Sequence, residues 1–414
     1  MFKNPVKAIS WALFTVMLGF MLVAYFDLSE PYTWIYRGII FIIIFFNLKK
    51  IINIREIDKW GFYLTIIYMS WLIFEFFRAS FYAEGYWMWK SVSIQLVISL
   101  FYIIIIISTN IEVVKMYYSL YWLFFFPLLF ISLLYDGTPL LLDYVPFLTL
   151  MFFFVLVPKY KKLILLGIVL MFYVTNFQRN DLIKIVFGSL IGLSFSYFYN
   201  FIPKWSIRLG RIIFLIAPFI LLELAASGAF NVFDMDSYIS GNYTQEIKTT
   251  EGEEEDNLKA DTRTFIYQNV FATMNKYDEW IIGRSPAFGD DGVDDSWGIQ
   301  EDTGLKGRYG NEVGIMDILL WFGLIGVALY FLIYVRASFL AINRSCNRFA
   351  KAIGLYVAFL WMWAFVWEKP ADQTFFMMDL VLIGLCFSNK FRQLTDEEVG
   401  LWVRGIFSLR LIKK

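Results

Sequence analysis

Residues Tyr86–Ile107 read YWMWKSVSIQLVISLFYIIIII, a run of 22 residues whose single charge is Lys90. A helix rises 1.5 Å per residue, so about 20 apolar residues match the roughly 30 Å hydrocarbon core of a bilayer. Eleven further stretches on either side have the same character. In chain order the twelve candidate spans are Ala8–Phe26, Tyr32–Leu48, Trp60–Phe81, Tyr86–Ile107, Met116–Tyr135, Leu140–Val157, Leu163–Phe177, Leu182–Tyr199, Ile207–Ser227, Val313–Tyr334, Ala352–Trp367 and Phe375–Ser388. They predict an all-α, polytopic membrane protein with about 12 transmembrane helices. The short sixth and seventh are parted only by Pro158 and the lysines of 159–162. The first follows Lys3 and Lys7 as a signal sequence would, but no small-residue cleavage site comes after it, so it reads as an uncleaved anchor.

Composition supports the same class. Of 414 residues 59% are apolar and 21% aromatic, against about 45–50% apolar in a soluble domain. That is more apolar surface than one water-soluble core of this length could hide. The 36 basic and 36 acidic residues cancel, which removes the electrostatic case for a nucleic-acid partner. There is no histidine, so Ser-His-Asp and Cys-His catalysis and His-ligated metals are excluded. A general base must then be a carboxylate or a less usual group. Cys346 and Cys386 fall on a cytoplasmic loop and in a span, a placement that argues against a disulfide.

Orientation follows from the basic residues of short loops. With a cytoplasmic N-terminus, the inside segments hold Lys49, Lys50, Arg55 and Lys59; Lys115; Lys159, Lys161 and Lys162; Lys204, Arg208 and Arg211; and Arg336, Arg344, Arg348 and Lys351. The chain then divides into helices 1–9 over residues 1–227, a long extracytoplasmic loop over 228–312, helices 10–12 over 313–388, and a basic cytoplasmic tail over 389–414. Loops of that length are commonly functional. Within it, Glu251–Asp256 reads as a solvated, mobile charge run. Thr262–Met274 has near-helical apolar spacing after a cap at Asp261, predicting an amphipathic helix, and a glycine-punctuated irregular segment follows it to the membrane.

Ionisable residues at the outer membrane face are the most informative, because charge there is costly and usually faces a cavity or partner. Glu75 and Arg78 stand one turn apart; Arg179 and Asp181 occupy a short outer turn; the long loop adds Arg263, Arg284 and Arg308. Arginine's planar fork holds diphosphate bidentately and keeps its proton, so five outside arginines suggest a phosphorylated lipid. The alternative is that Arg284 and Arg308 pair with carboxylates of their own loop, and that Glu75 and Arg78 form a structural pair. Asp290–Asp295 lacks the ordered spacing of a calcium loop, and no metal or cofactor is expected. Glu312, where the loop re-enters the membrane, is placed as a general base would be, with an interfacial helix cap as the alternative; Asp317 lies about one turn further in.

Three segments together resemble the O-antigen polymerase and ligase family, specifically the Wzy-type polymerases. They are Phe177-Gln178-Arg179-Asn180-Asp181 before an apolar span, Arg263-Thr264-Phe265-Ile266-Tyr267 through Gly283-Arg284-Ser285-Pro286-Ala287-Phe288-Gly289, and Asn311-Glu312-Val313-Gly314 through Gly323-Leu324-Ile325-Gly326. The resemblance covers about a third of the chain. It implies joining of oligosaccharide units carried on undecaprenyl diphosphate at the outer face of a bacterial inner membrane, with a chain-length regulator and a flippase as partners. Carried over residue by residue, Arg179 and Arg263 become diphosphate-binding catalytic groups; the reading of the outer-face charges adds Arg78, Asp181, Arg284 and Arg308 as substrate-binding groups and Glu312 as the base, with Asp181 in reserve. Glu312 stands where ligase relatives often carry histidine, which favours a polymerase over a ligase. A flippase or transporter of the same lipid-linked sugars is the rival class; its charges would spread toward the membrane midplane.

Overall fold

The computed structural model describes residues 4–26, 30–136, 145–175, 179–231, 233–234, 244–249, 252–257, 263–291, 308–367 and 373–408; in some of these, Arg179–Asp181 included, only the backbone is described. The described chain is helical apart from one hairpin. In order the helices are α1 Pro5–Phe26, α2 Glu30–Ile51, α3 Lys59–Ser80, α4 Gly85–Phe101, α5 Ile103–Ser108, α6 Ile111–Asp136, α7 Val145–Thr149, α8 Lys159–Thr175, α9 Arg179–Tyr197, α10 Lys204–Ala226, α11 Thr264–Tyr277, α12 Gly314–Asn343, α13 Arg348–Trp363, α14 Gln373–Phe387, α15 Asn389–Gln393 and α16 Asp396–Ile406.

Helix lies in all twelve apolar stretches, but not always as one rod. The fourth is divided at Tyr102 into α4 and α5, but Tyr102 keeps right-handed helical angles (φ −60°, ψ −16°), so the two continue as one apolar stretch. The sixth departs further from the expected continuous helix. After the five residues of α7 it tightens into a 3₁₀ segment, Leu150–Leu156, with Phe153 off helical geometry at φ −109°, ψ 15°. Val157 before Pro158 takes the extended conformation that proline imposes on its predecessor, and this ends the segment.

Among the described residues four helices are long and apolar enough to cross a membrane: Lys59–Ser80, the joined α4 and α5 over Gly85–Ser108, Lys204–Ala226 and Gly314–Asn343. Helices α13 and α14 form the centre, with Trp361, Val357, Leu380, Leu382 and Ile383 fully enclosed. Helix α10 is the opposite case. Only 11% of its most apolar window is buried, leaving Ile212, Ile213, Ile216, Phe219 and Ile220 on the outside. An apolar helix with an apolar outer face suits lipid rather than water as its solvent. The C-terminal segment is no loose tail: α16 starts in a Thr395–Glu398 capping box and buries Val399 and Val403, and Trp402 donates its indole N–H to the Ile111 carbonyl at 2.9 Å.

The described parts of the long loop carry regular structure. Strands β1, Thr244–Thr249, and β2, Gly252–Asn257, pair antiparallel with Lys248 opposite Glu253. Most of the acidic run thus belongs to a strand and not to a coil; Lys248 opposite Glu253 favours pairing, while Glu246 opposite Glu255 opposes it. Helix α11 follows as expected, burying Ile266, Tyr267, Val270, Thr273 and Met274 along one face. Its N-cap position is Arg263, without a side-chain cap, so the Asp261 cap is not borne out; Asp261 itself lies outside the described residues.

After α11 the loop turns inward. Gly283–Ala287 is buried between α3, α4 and α12, and Ser91 of α4 donates to the Pro286 carbonyl at 3.0 Å. Helix α12 breaks to receive it, at Gly323 with φ 64°. In an unbroken helix the N–H groups of Leu324 and Ile325 would bond the carbonyls of Leu320 and Trp321. Here those carbonyls accept instead from Arg284 N (2.7 Å) and Ser285 N (3.2 Å), while Leu324 N and Ile325 N donate to the carbonyls of Trp280 (2.8 Å) and Ile281 (3.2 Å). The loop therefore replaces two helical hydrogen bonds with four of its own. Non-helical backbone survives at membrane depth only where protein satisfies it in this way. Gly323 lies nine residues into α12, about 14 Å along its axis.

Candidate active site at the junction of the long loop and the helix ends

The site forms where α11, the entry to α12 and the end of α13 meet. Gly314 N and Ile315 N donate to the carbonyls of Trp367 and Ala364 at 2.9 and 3.1 Å, fixing the start of α12 against the end of α13. Asp317 is buried and takes the Asn311 backbone and side-chain amides on one carboxylate oxygen, at 2.8 and 2.9 Å, which holds the turn carrying Glu312. Glu312 is not a helix cap: Val313 occupies that position and no side chain caps it.

Arg263 and Glu312 come together. Arg263 Nη2 lies 3.7 Å from Glu312 Oε2, with the guanidinium 9% and the carboxylate 38% exposed. That is an ion pair wider than a hydrogen bond, with its acid accessible. Arg263 Nε donates to the Val366 carbonyl at 3.0 Å and its guanidinium lies 5.6 Å from the Trp367 ring centre. One turn on, the Tyr267 hydroxyl donates to the Phe365 carbonyl. Burial pushes that phenol well above its ordinary range against the weaker pull of Arg263, so Tyr267 acts as a fixed donor and not as a base. Arg308 approaches the same first turn, its guanidinium 5.6 Å from the Phe265 ring, with a buried Nη1 that no hydrogen-bond partner meets among the described residues.

Arg78 and Arg284 belong to a second network, around the re-entrant backbone. Arg78 Nε donates to the fully buried Glu75 at 2.7 Å and its Nη2 to the carbonyl of Gly283. Arg284 is buried against Glu279 (3.3 Å), Asp291 (3.1 Å), the Gly289 carbonyl (2.9 Å) and the face of Tyr277, 3.8 Å from the ring centre. Burial raises the Glu279 carboxyl, although Arg284 and Arg78 pull the other way. Burial also pushes Asp291 up, but hydrogen bonds from Lys276, Tyr277 and Arg284 outweigh it and hold that carboxyl below its ordinary value. With these partners Asp291 is a node of the network. Among the described residues no three His, Cys, Asp or Glu side chains gather as metal ligands; Asp294 and Asp295 lie outside them.

Arg179 and Asp181 open helix α9, but their side chains lie outside the described ones. The sequence reading missed a buried pair inside the bundle, Lys184 on α9 and Asp379 on α14, at 2.7 Å. The signal was present, since each is the lone charge within its predicted span; attention to the outer membrane face passed over it. No family model matches the chain, and no curated protein or solved structure does.

Proposed function

We propose that this chain is a polysaccharide polymerase of the bacterial inner membrane, joining oligosaccharide units carried on undecaprenyl diphosphate by inverting, metal-independent glycosyl transfer. The observation that carries the reading is the pairing of a buried, immobilised arginine with an accessible carboxylate, Arg263 with Glu312, where the long loop meets the helix ends. In the reaction a hydroxyl of one unit attacks the anomeric carbon of the chain on the other lipid. The new C–O bond forms as the bond to the diphosphate oxygen breaks on the opposite face, which inverts the centre. The electron pair leaves with the diphosphate, where Arg263, Arg179 and Arg308 stabilise it, and Glu312 takes the hydroxyl proton.

This reading has twelve spans, cytoplasmic termini and an outward loop, with the chemistry at the outer face where lipid-linked units wait; the distribution of basic loops supports that orientation. A flippase and a chain-length regulator are the partners such a reaction needs. Replacing Arg263 by Lys keeps the charge but removes the fork and its bond to Val366. Polymer length in cells should then fall while the protein still accumulates; unchanged long polymer would refute the role. A lipid-linked sugar flippase is the second reading, favoured by the Lys184–Asp379 pair within the helices; a carrier would move single units and join none.

A further inference from the structure

Three basic residues of α10, Lys204, Arg208 and Arg211, are spaced four and three apart and so line one stripe of the helix. The stripe borders the face that carries Ile212, Ile216 and Phe219 outward. Arg211 is its inner member, seven residues or about 10 Å along the axis from Lys204. The Arg211 guanidinium lies 5.3 Å from the ring centre of Phe339 on α12, and further along the same two helices Phe219 meets Phe331 at 5.9 Å. These contacts mark a seam between α10 and α12, with Leu332 and Phe219 exposed beside it.

Arg211 stands in this seam without an acceptor. Its Nε and Nη1 are enclosed and meet no hydrogen-bond partner, and none of the three basic residues has an ion pair among the described residues. A guanidinium keeps its proton, so its N–H groups cannot be relieved by neutralising. Unmade hydrogen bonds of a charged group cost more than those of a neutral one. A basic side chain that merely snorkels carries its charged head into water; Arg211 lies against the Phe339 ring instead. Glu223, the sole carboxylate of α10, is twelve residues further on.

The surroundings select the chemistry of the missing acceptor. Three cations with no carboxylate among them favour an anionic headgroup over a zwitterionic one. The apolar face alongside suits an acyl chain, and Trp205 and Phe201 stand exposed at the start of the helix as residues of a membrane interface do. Phosphate oxygens also match the planar fork of arginine. We propose that the seam between α10 and α12 binds an anionic phospholipid of the leaflet in which α10 begins. Arg211 holds the phosphate, Arg208 and Lys204 flank it, and a chain lies along Ile212, Ile216 and Phe219. The seam is at the far end of α12 from Glu312, so this lipid is distinct from the lipid-linked substrate and its test needs no turnover.

The purified full-length protein in phosphatidylcholine nanodiscs would receive a photoreactive phosphatidylglycerol and, in parallel, a photoreactive phosphatidylcholine with the same chains, with labelled peptides mapped by mass spectrometry. The phosphatidylglycerol probe should label the α10 and α12 segments around Arg211 and Phe339, and the phosphatidylcholine probe should label them several-fold less. Arg211→Gln should cut the labelling about fivefold, the usual worth of one basic residue at a charged lipid surface. Lys204→Gln with Arg208→Gln, at two exposed positions that leave the packing on Phe339 alone, should lower it in the same direction. Lys59→Gln, which removes an exposed cation of α3, should leave it unchanged. Excess inorganic phosphate, which lacks the chains, should not displace the probe. Equal labelling by the two probes, an equal fall in Lys59→Gln, labelling untouched by both the Arg211 and the Lys204/Arg208 changes, or displacement by inorganic phosphate would overturn the site.

Discussion

The arginines of the outer face divide by what already holds them. Arg284 meets two carboxylates, a carbonyl and an aromatic face, all within its own loop, and Arg78 is bound to Glu75 and the Gly283 carbonyl. Arg284→Met should therefore lower the thermal midpoint, by the equivalent of about 1–3 kcal/mol for buried partners left unsatisfied, and affect polymer formation mainly through that loss. Asp291 adds a pH dependence. Its carboxyl is held below the ordinary value of 3.8, so its contribution is complete above that value and lost as pH falls through the lower folded one. Limited proteolysis by an acid-active protease should find the loop near Tyr277–Asp291 opening below about pH 3.8, and Asp291→Asn should flatten that response; an identical acid profile in the variant would contradict it. Which arginines would brace the loop and which would stand beside an accessible carboxylate was only partly legible in the sequence. The pair of Arg78 with Glu75 was readable one turn away, but its backbone partners lie some 200 residues off at Ile282 and Gly283, and no spacing rule reaches that far. Arg263 and Glu312 were legible as separate candidates, and the fold supplies their contact.

Among the elements, apolar runs located the helices well, because about 20 uncharged residues have few other solutions in lipid. The hydrophobic spacing of α11 was equally readable. What periodicity missed were departures whose cause lies elsewhere in the chain: the 3₁₀ stretch at Leu150–Leu156, the hairpin, and above all the break in α12. Gly323 looks like an ordinary small residue in a span, yet its φ of 64° and the close approach of the Ile281 carbonyl leave no room for a side chain. Gly283, at φ 78°, faces it under the same restriction. Gly323→Ala should thus cost at least the 1–3 kcal/mol typical of a strained backbone position, and loosen the re-entrant segment. Hydrogen exchange should show faster exchange at Arg284 and Leu324, whose amides cross the break; unchanged protection would mean the four bonds do not depend on the bend.

For the whole molecule, the basic loops and the acidic long loop predict two chemically different faces. In a background with Cys346 and Cys386 replaced by serine, a cysteine at Ser240 should react with an impermeant reagent in intact cells and one at Lys159 should not; the reverse pattern would invert the orientation and remove the active site from its substrates. The most direct test of the central claim is polymerisation by the purified chain in liposomes supplied with a lipid-diphosphate-linked repeat unit, with products resolved by length. The account predicts a ladder of joined units that persists in the presence of a chelator and whose rate falls by about 10²–10⁴ in Glu312→Gln, the usual worth of a general base. Near-normal turnover in both Glu312→Gln and Asp181→Asn would contradict the assigned base, and wild-type protein that leaves every unit unjoined would contradict the function itself.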